Sequence, residues 1–169
     1  MTKVLILSDS HGLTEEVTAI KDYHEIDYMI HCGDSELAFD ASEMENFYKV
    51  AGNCDMDERY PMEQNLSIDG LQFFVTHGHL FNVKANLLQL GYRAKEENAQ
   101  IICFGHTHIA GYEKVNEQLF INPGSIRESR GRSENTYAII EWTETDYLQV
   151  NFYTPQGKLV DDLSGTVAF

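Results

Sequence analysis

Five short apolar runs in this chain end in the same way. "VLIL" leads into Ser8-Asp9-Ser10-His11-Gly12, "YMIHC" into Gly33-Asp34, "YKVA" into Gly52-Asn53-Cys54-Asp55, "QFFVT" into His77-Gly78-His79, and "IICF" into Gly105-His106-Thr107-His108. Apolar runs of this length, bounded by glycine and polar residues, read as strands. The unbroken apolarity of "VLIL" and "IICF" suits strands covered on both faces by helices. In such sheets the ligand crevice lies beyond the carboxyl ends of the strands, so loops far apart in sequence meet there. The repeated glycine lets backbone approach closely where side chains crowd a centre.

Between these runs lie helical patterns over Leu13 to His24, over Glu36 to Met44 more weakly, and over Lys84 to Ala99. Strand and helix alternate, which makes the first part α/β. After residue 109 the pattern changes to "GYEKV", "QLFIN", "TYAIIEW" and "YLQVNFYT", joined by turns at Asn116-Glu117 and at Glu144-Thr145-Asp146. Consecutive strands without helices imply antiparallel hairpins, and "LSIDGLQFFV" adds another around Asp69-Gly70. The reading is one domain over residues 1 to 169, α/β with α+β character, with two sheets packed face to face and helices on their outer sides.

Composition narrows the partners. At 43% hydrophobic residues the chain has enough apolar material for a real core. No apolar run approaches the ~18 residues of a membrane span, and the opening "MTKVLIL" is too short for a signal peptide, so a cytoplasmic protein without a membrane partner is expected. Cys32, Cys54 and Cys103 are an odd number lying in or beside apolar runs, and read as buried free thiols. The net charge of −15 repels long nucleic acids. A small phosphorylated substrate remains compatible, because metal ions reverse the local field.

The strand ends supply metal-ligand chemistry: Asp9, His11, Asp34, Asn53, His77, His106 and His108. If "GHTH" stays extended, residues two apart share a face, and His106 and His108 point at one object. Singly, each donor has an ordinary explanation: Asp9 as a helix cap, Asn53 as a turn residue. Those explanations do not account for five strand ends alike. Seven donors exceed one tetrahedral site and suggest two ions, with Asp34, alone on its loop, as the bridge. Nitrogen and oxygen donors without thiolate favour manganese, iron, zinc, cobalt or nickel over calcium. Asp55 reads as a carboxylate orienting a histidine, His31 as a core histidine, and His24 as a helix-end residue. "NPGS" (122 to 125) reads as a rigid turn, and "RESRGR" as a solvated loop that could alternatively meet a substrate phosphate or a neighbouring subunit.

The ordered blocks D-x-H, G-D, G-N-x-D, H-G-H and G-H-x-H over residues 9 to 108 resemble the calcineurin-like metallophosphoesterase superfamily. With "GNCD", "THGH", "GHTH" and "INPGS", the chain looks most like its small single-domain phosphodiesterases of the YfcE/MJ0936 type. The resemblance implies a four-layer αββα sandwich. It implies that Asp9, His11, Asp34 and His108 hold one metal, and that Asp34, Asn53, His77 and His106 hold the other. It further implies attack by a metal-bridging hydroxide on the phosphodiester bonds of small substrates, with Asp34 and Asn53 serving catalysis through the metals. Manganese is the first expectation for the ion; nickel, iron, zinc, cobalt or magnesium are alternatives, and a homo-oligomer is compatible. Many relatives carry histidine where this chain has Cys54, so the leaving-group acid must come from elsewhere, and His79 is nearest in sequence. The alternatives are a phosphomonoesterase, or a non-catalytic scaffold of the same fold, like the retromer subunit.

Overall fold

The computed structural model describes all 169 residues. Eleven strands form two sheets. The first contains β1 (Thr2–Leu7), β2 (Tyr28–His31), β3 (Phe47–Lys49), β9 (Tyr137–Trp142), β10 (Tyr147–Tyr153) and β11 (Gly165–Ala168), in the order β11-β10-β9-β1-β2-β3. The second contains β4 (Glu63–Ile68), β5 (Leu71–Thr76), β6 (Ile101–Cys103), β7 (Gly111–Val115) and β8 (Gln118–Asn122), in the order β4-β5-β6-β8-β7. Within the first sheet β1, β2 and β3 run parallel. Within the second, β5, β6 and β8 do so. Both parallel triplets release their loops at one edge of the sandwich.

Strand alternation explains the layering. Val4 and Ile6 of β1 meet Phe73 and Val75 of β5 and Ile101 and Cys103 of β6 in the central core. Leu5 and Leu7 turn the other way, onto Val17 and Ile20 of α1 (Glu15–Tyr23). Phe74, Ile102 and Phe120 likewise face Leu90 and Ala94 of α2 (Leu88–Glu96). The expected two-sheet sandwich with helices outside is the observed architecture. Burying a large apolar side chain contributes ~1.5–3 kcal/mol.

Two helical expectations need correction. Over 36 to 44 only Ser42–Met44 forms a single 3₁₀ turn. Side chains satisfy the backbone there instead: Asp57 accepts the Phe39 N–H, and Lys49 donates to the carbonyls of Phe39 and Met44. The helix expected from Lys84 starts only at Leu88, because Asn82 adopts φ 53° and Asn86 Oδ1 accepts the Leu88 N–H in a local turn. The edge strand β11 was not foreseen; its "GTVA" is too short to show a period.

Candidate metal centre

The loops after β1, β2, β3, β5 and β6 converge at the shared edge, and they carry all seven candidate donors. Asp9, Asp34, His77 and His108 are buried, His11 and His106 half-buried, and Asn53 exposed. Asp9 Oδ1 lies 3.1 Å from His108 Nε2 and 3.7 Å from both His11 Nε2 and His77 Nε2. Asp34 Oδ2 lies 3.2 Å from His77 Nε2 and 4.0 Å from His11 Nε2. On the outer side Asn53 Oδ1 and His106 Nδ1 are 3.1 Å apart.

Five of the seven donors are aimed by their other end, and for the histidines among them this is the arrangement that fixes a metal-binding tautomer. His77 Nδ1 donates to the Cys32 carbonyl, and His108 Nδ1 to the Glu128 carbonyl. His11 Nδ1 bonds the Glu36 carboxylate. Asp9 Oδ2 accepts from Ser8 Oγ and from the His106 N–H, leaving Oδ1 free. Asp34 Oδ1 accepts the Cys54 N–H, so Oδ2 alone faces the histidines. Asp9 Oδ1 and His77 Nε2 are buried without any hydrogen-bond partner, although buried polar atoms almost always have one. Cations held beside them would satisfy both, and this donor set fits divalent metal ions.

"GHTH" is not extended. His106 and His108 have φ values of 70° and 60°, so they diverge: His106 turns toward Asn53 and His77, His108 toward Asp9 and His11. Asp9, His11 and Asp34 also have positive φ, at 53°, 41° and 57°. Such conformations cost of order 1–3 kcal/mol each and gather at functional sites. The glycines make room: a Cβ on Gly105 would lie 2.0 Å from Ser8 Oγ, and one on Gly52 2.0 Å from Asp34 Oδ1.

Charge follows the same geometry. Burial opposes ionisation of Asp9, yet the facing His108 and His11 hold its carboxyl well below the usual range. His11 is raised to about 9 by Asp9 first and by Glu36 as well, against the effect of burial. His106 is lowered to about 4 by burial and by the neighbouring His77.

The surroundings differ from expectation in several places. Asp55 orients no histidine; it accepts the backbone N–H groups of Asp34, Glu36 and Gly52, so it shapes the loops. Cys32 and Cys103 are buried free thiols, but Cys54 is exposed beside Asn53, because the loop after β3 leaves the core there. His31 is fully buried, bonded to Ser10 Oγ and the Gly33 N–H. "NPGS" is more than a turn: Ser125 Oγ donates to the Asp9 carbonyl, and Asn122 Nδ2 to the Gly105 carbonyl. Arg127 donates to the His11 carbonyl, whereas Arg132 pairs with Glu134 and Asp162. His79 reaches the site not by strand alternation but through Gly78 at φ 103°. Its ring centroid stands 5.4 Å from that of His77 and 6.2 Å from that of His106, and its Nδ1 is buried without a partner. The open cleft above the donors, about 450 Å³, is also lined by Glu36, Lys84, Glu128 and Arg130. Lys84 and Glu36 sit in segments whose path the sequence did not disclose.

Residues 2–145 match the model of the calcineurin-like phosphoesterase superfamily domain. The chain is 47% identical to the probable metallophosphoesterase YsnB of Bacillus subtilis, over 97% of this chain and 98% of that one. It is 30% identical to the phosphodiesterase MJ0936 of Methanocaldococcus jannaschii, over 72% of this chain and 82% of that one. A crystal structure of a predicted phosphoesterase from Streptococcus pneumoniae superposes with a TM-score of 0.94 at 34% identity, covering 99% of this chain and 98% of that one.

Proposed function

The chain belongs to the calcineurin-like phosphoesterase superfamily, and from that premise we propose that it hydrolyses phosphodiester bonds of small substrates at a two-metal centre. It is a metal-dependent phosphoric-ester hydrolase. In the proposed centre Asp9, His11, Asp34 and His108 hold one ion, and Asp34, Asn53, His77 and His106 the other. The observation that carries this reading is the pair of buried, unpartnered atoms Asp9 Oδ1 and His77 Nε2, set among imidazole nitrogens. Asp34 suits the bridging role because only Oδ2 is free, facing His77 from the second sheet and His11 from the first. When bound, two divalent cations lower the pKa of water and neutralise the charge that develops on a transferring phosphoryl group.

The chain's own residues set the rest. His77 and His108 present fixed tautomers, and Glu36 does the same for the more exposed His11. Cys54 faces the cleft, and partial desolvation there together with the neighbouring Asp34 pushes its thiol up to about 11. His79 is the proposed proton source for the leaving oxygen, and manganese the proposed ion, since the donors are nitrogen and oxygen without thiolate. The relative named as a phosphodiesterase supports the diester over the monoester reading. Purified protein with Mn²⁺ is expected to hydrolyse bis(p-nitrophenyl) phosphate faster than p-nitrophenyl phosphate, and to stop on chelation. Faster monoester turnover would invert the preference, and no turnover with any divalent ion would point to a scaffold.

A further inference from the structure

The cleft above the donors does not end at them. A second depression of about 390 Å³ adjoins it, floored by Val83, Leu87, Phe104 and Ile109. The two share Lys84 and Arg130, which therefore stand at the passage between them. Thr107, between His106 and His108, also lines the second depression, so this trench begins at the ligand loop itself.

The two cations at this passage are unengaged. Despite the net charge of −15, neither Lys84 nor Arg130 forms a salt bridge or a side-chain hydrogen bond. Arg93 and Arg132 are each paired to carboxylates, and Arg127 is engaged with the His11 carbonyl. Arg130 is also registered to the site, because its backbone N–H donates to the carbonyl of His108 at 2.9 Å. The acidic rim residues Glu36 and Glu128 line the cleft but not the trench, so the side accepting anions is the trench side.

Resting on the phosphodiesterase reading above, we propose that the substrate carries a second phosphate, held by Lys84 and Arg130, and an apolar or planar body lodged in the trench beyond. The chemical class is a phosphorylated dinucleotide or a phosphodiester of similar size and charge. Unpaired cations at a passage give charge-assisted hydrogen bonds to phosphate, while the Phe104 floor suits a base or another flat group. A diester with one charge and a small alcohol would leave both features unused.

The test compares the dinucleoside monophosphate ApA with its 5′-phosphorylated form pApA. The wild-type protein with Mn²⁺ is expected to show a KM about tenfold or more lower for pApA, corresponding to ~1.4 kcal/mol. In Lys84→Ala/Arg130→Ala that ratio should fall toward one, and in Ile109→Asp the KM for both should rise. Calorimetric titration of adenosine 3′,5′-bisphosphate and adenosine 5′-monophosphate supplies a readout independent of turnover. The double variant should lose the preference for the bisphosphate. Equal affinities for the two ligands in the wild type, or a preference that survives in the double variant, would overturn the proposal. Failure to hydrolyse any diester while the bisphosphate preference persists would instead sink the reading of the reaction and leave the subsite standing.

Discussion

His31 shows how a buried imidazole is read at the level of one residue. Its Nδ1 accepts the Gly33 N–H and its Nε2 meets Ser10 Oγ, so the fold holds the neutral ring, and burial lowers its pKa to about 4. The folded value lies below the ordinary value near 6.5, so unfolding takes up a proton as pH falls through that interval. Stability is therefore full above about pH 6.5 and declines toward pH 4, losing at most ~1.4 kcal/mol for each pH unit crossed. The urea midpoint of wild-type protein should fall more steeply between pH 7 and 5 than that of His31→Gln; parallel slopes would contradict this. His79 makes a different case. If it protonates the leaving oxygen, His79→Ala should lose about a hundredfold in kcat on an alkyl leaving group and little on p-nitrophenolate, with Mn²⁺ binding retained. The donor set was legible in the sequence because Asp9, His11, Asp34, Asn53, His77, His106 and His108 all follow apolar runs. Their aim was not: the positive φ at His106 and His108 separates two histidines that strand alternation would have placed together.

At the scale of elements, strands were easier to foresee than helices. "LQFFVT" became β5 unchanged, since its apolar run sits in a sheet covered on both faces. The segment after Asp34 carried enough apolar residues to suggest a helix, but its backbone is tied to distant side chains, which local periodicity cannot register. Asp55 is central to that tie, accepting three N–H groups from two loops. Asp55→Ala is expected to leave those donors short of partners, lower the thermal midpoint by several degrees and weaken Mn²⁺ binding by about 10–100-fold. Calorimetry and metal titration check both, and unchanged metal affinity would show that the loops hold their shape without it. Asp55→Asn, which keeps an acceptor, should recover part of the loss.

Across the whole molecule, the donors are divided between the sheets. Asp9, His11, Asp34 and Asn53 follow strands of the first sheet, and His77, His106 and His108 follow strands of the second. Each proposed ion draws on both, so cation binding links the two layers along one edge. Mn²⁺ at a hundred times its dissociation constant should therefore stabilise the fold by ~2.7 kcal/mol, read as a rise in melting temperature that excess chelator reverses. A melting temperature indifferent to metal would count against a shared site. The order in which the chain is made adds a constraint. All seven donors are complete by residue 108, yet Asp9, His11 and His108 are braced by Ser125, Arg127 and Glu128, which arrive later. A nascent chain stopped just after His108 would own every ligand and still lack the clasp that aims them, so ion capture during synthesis waits for a segment that contributes no donor of its own.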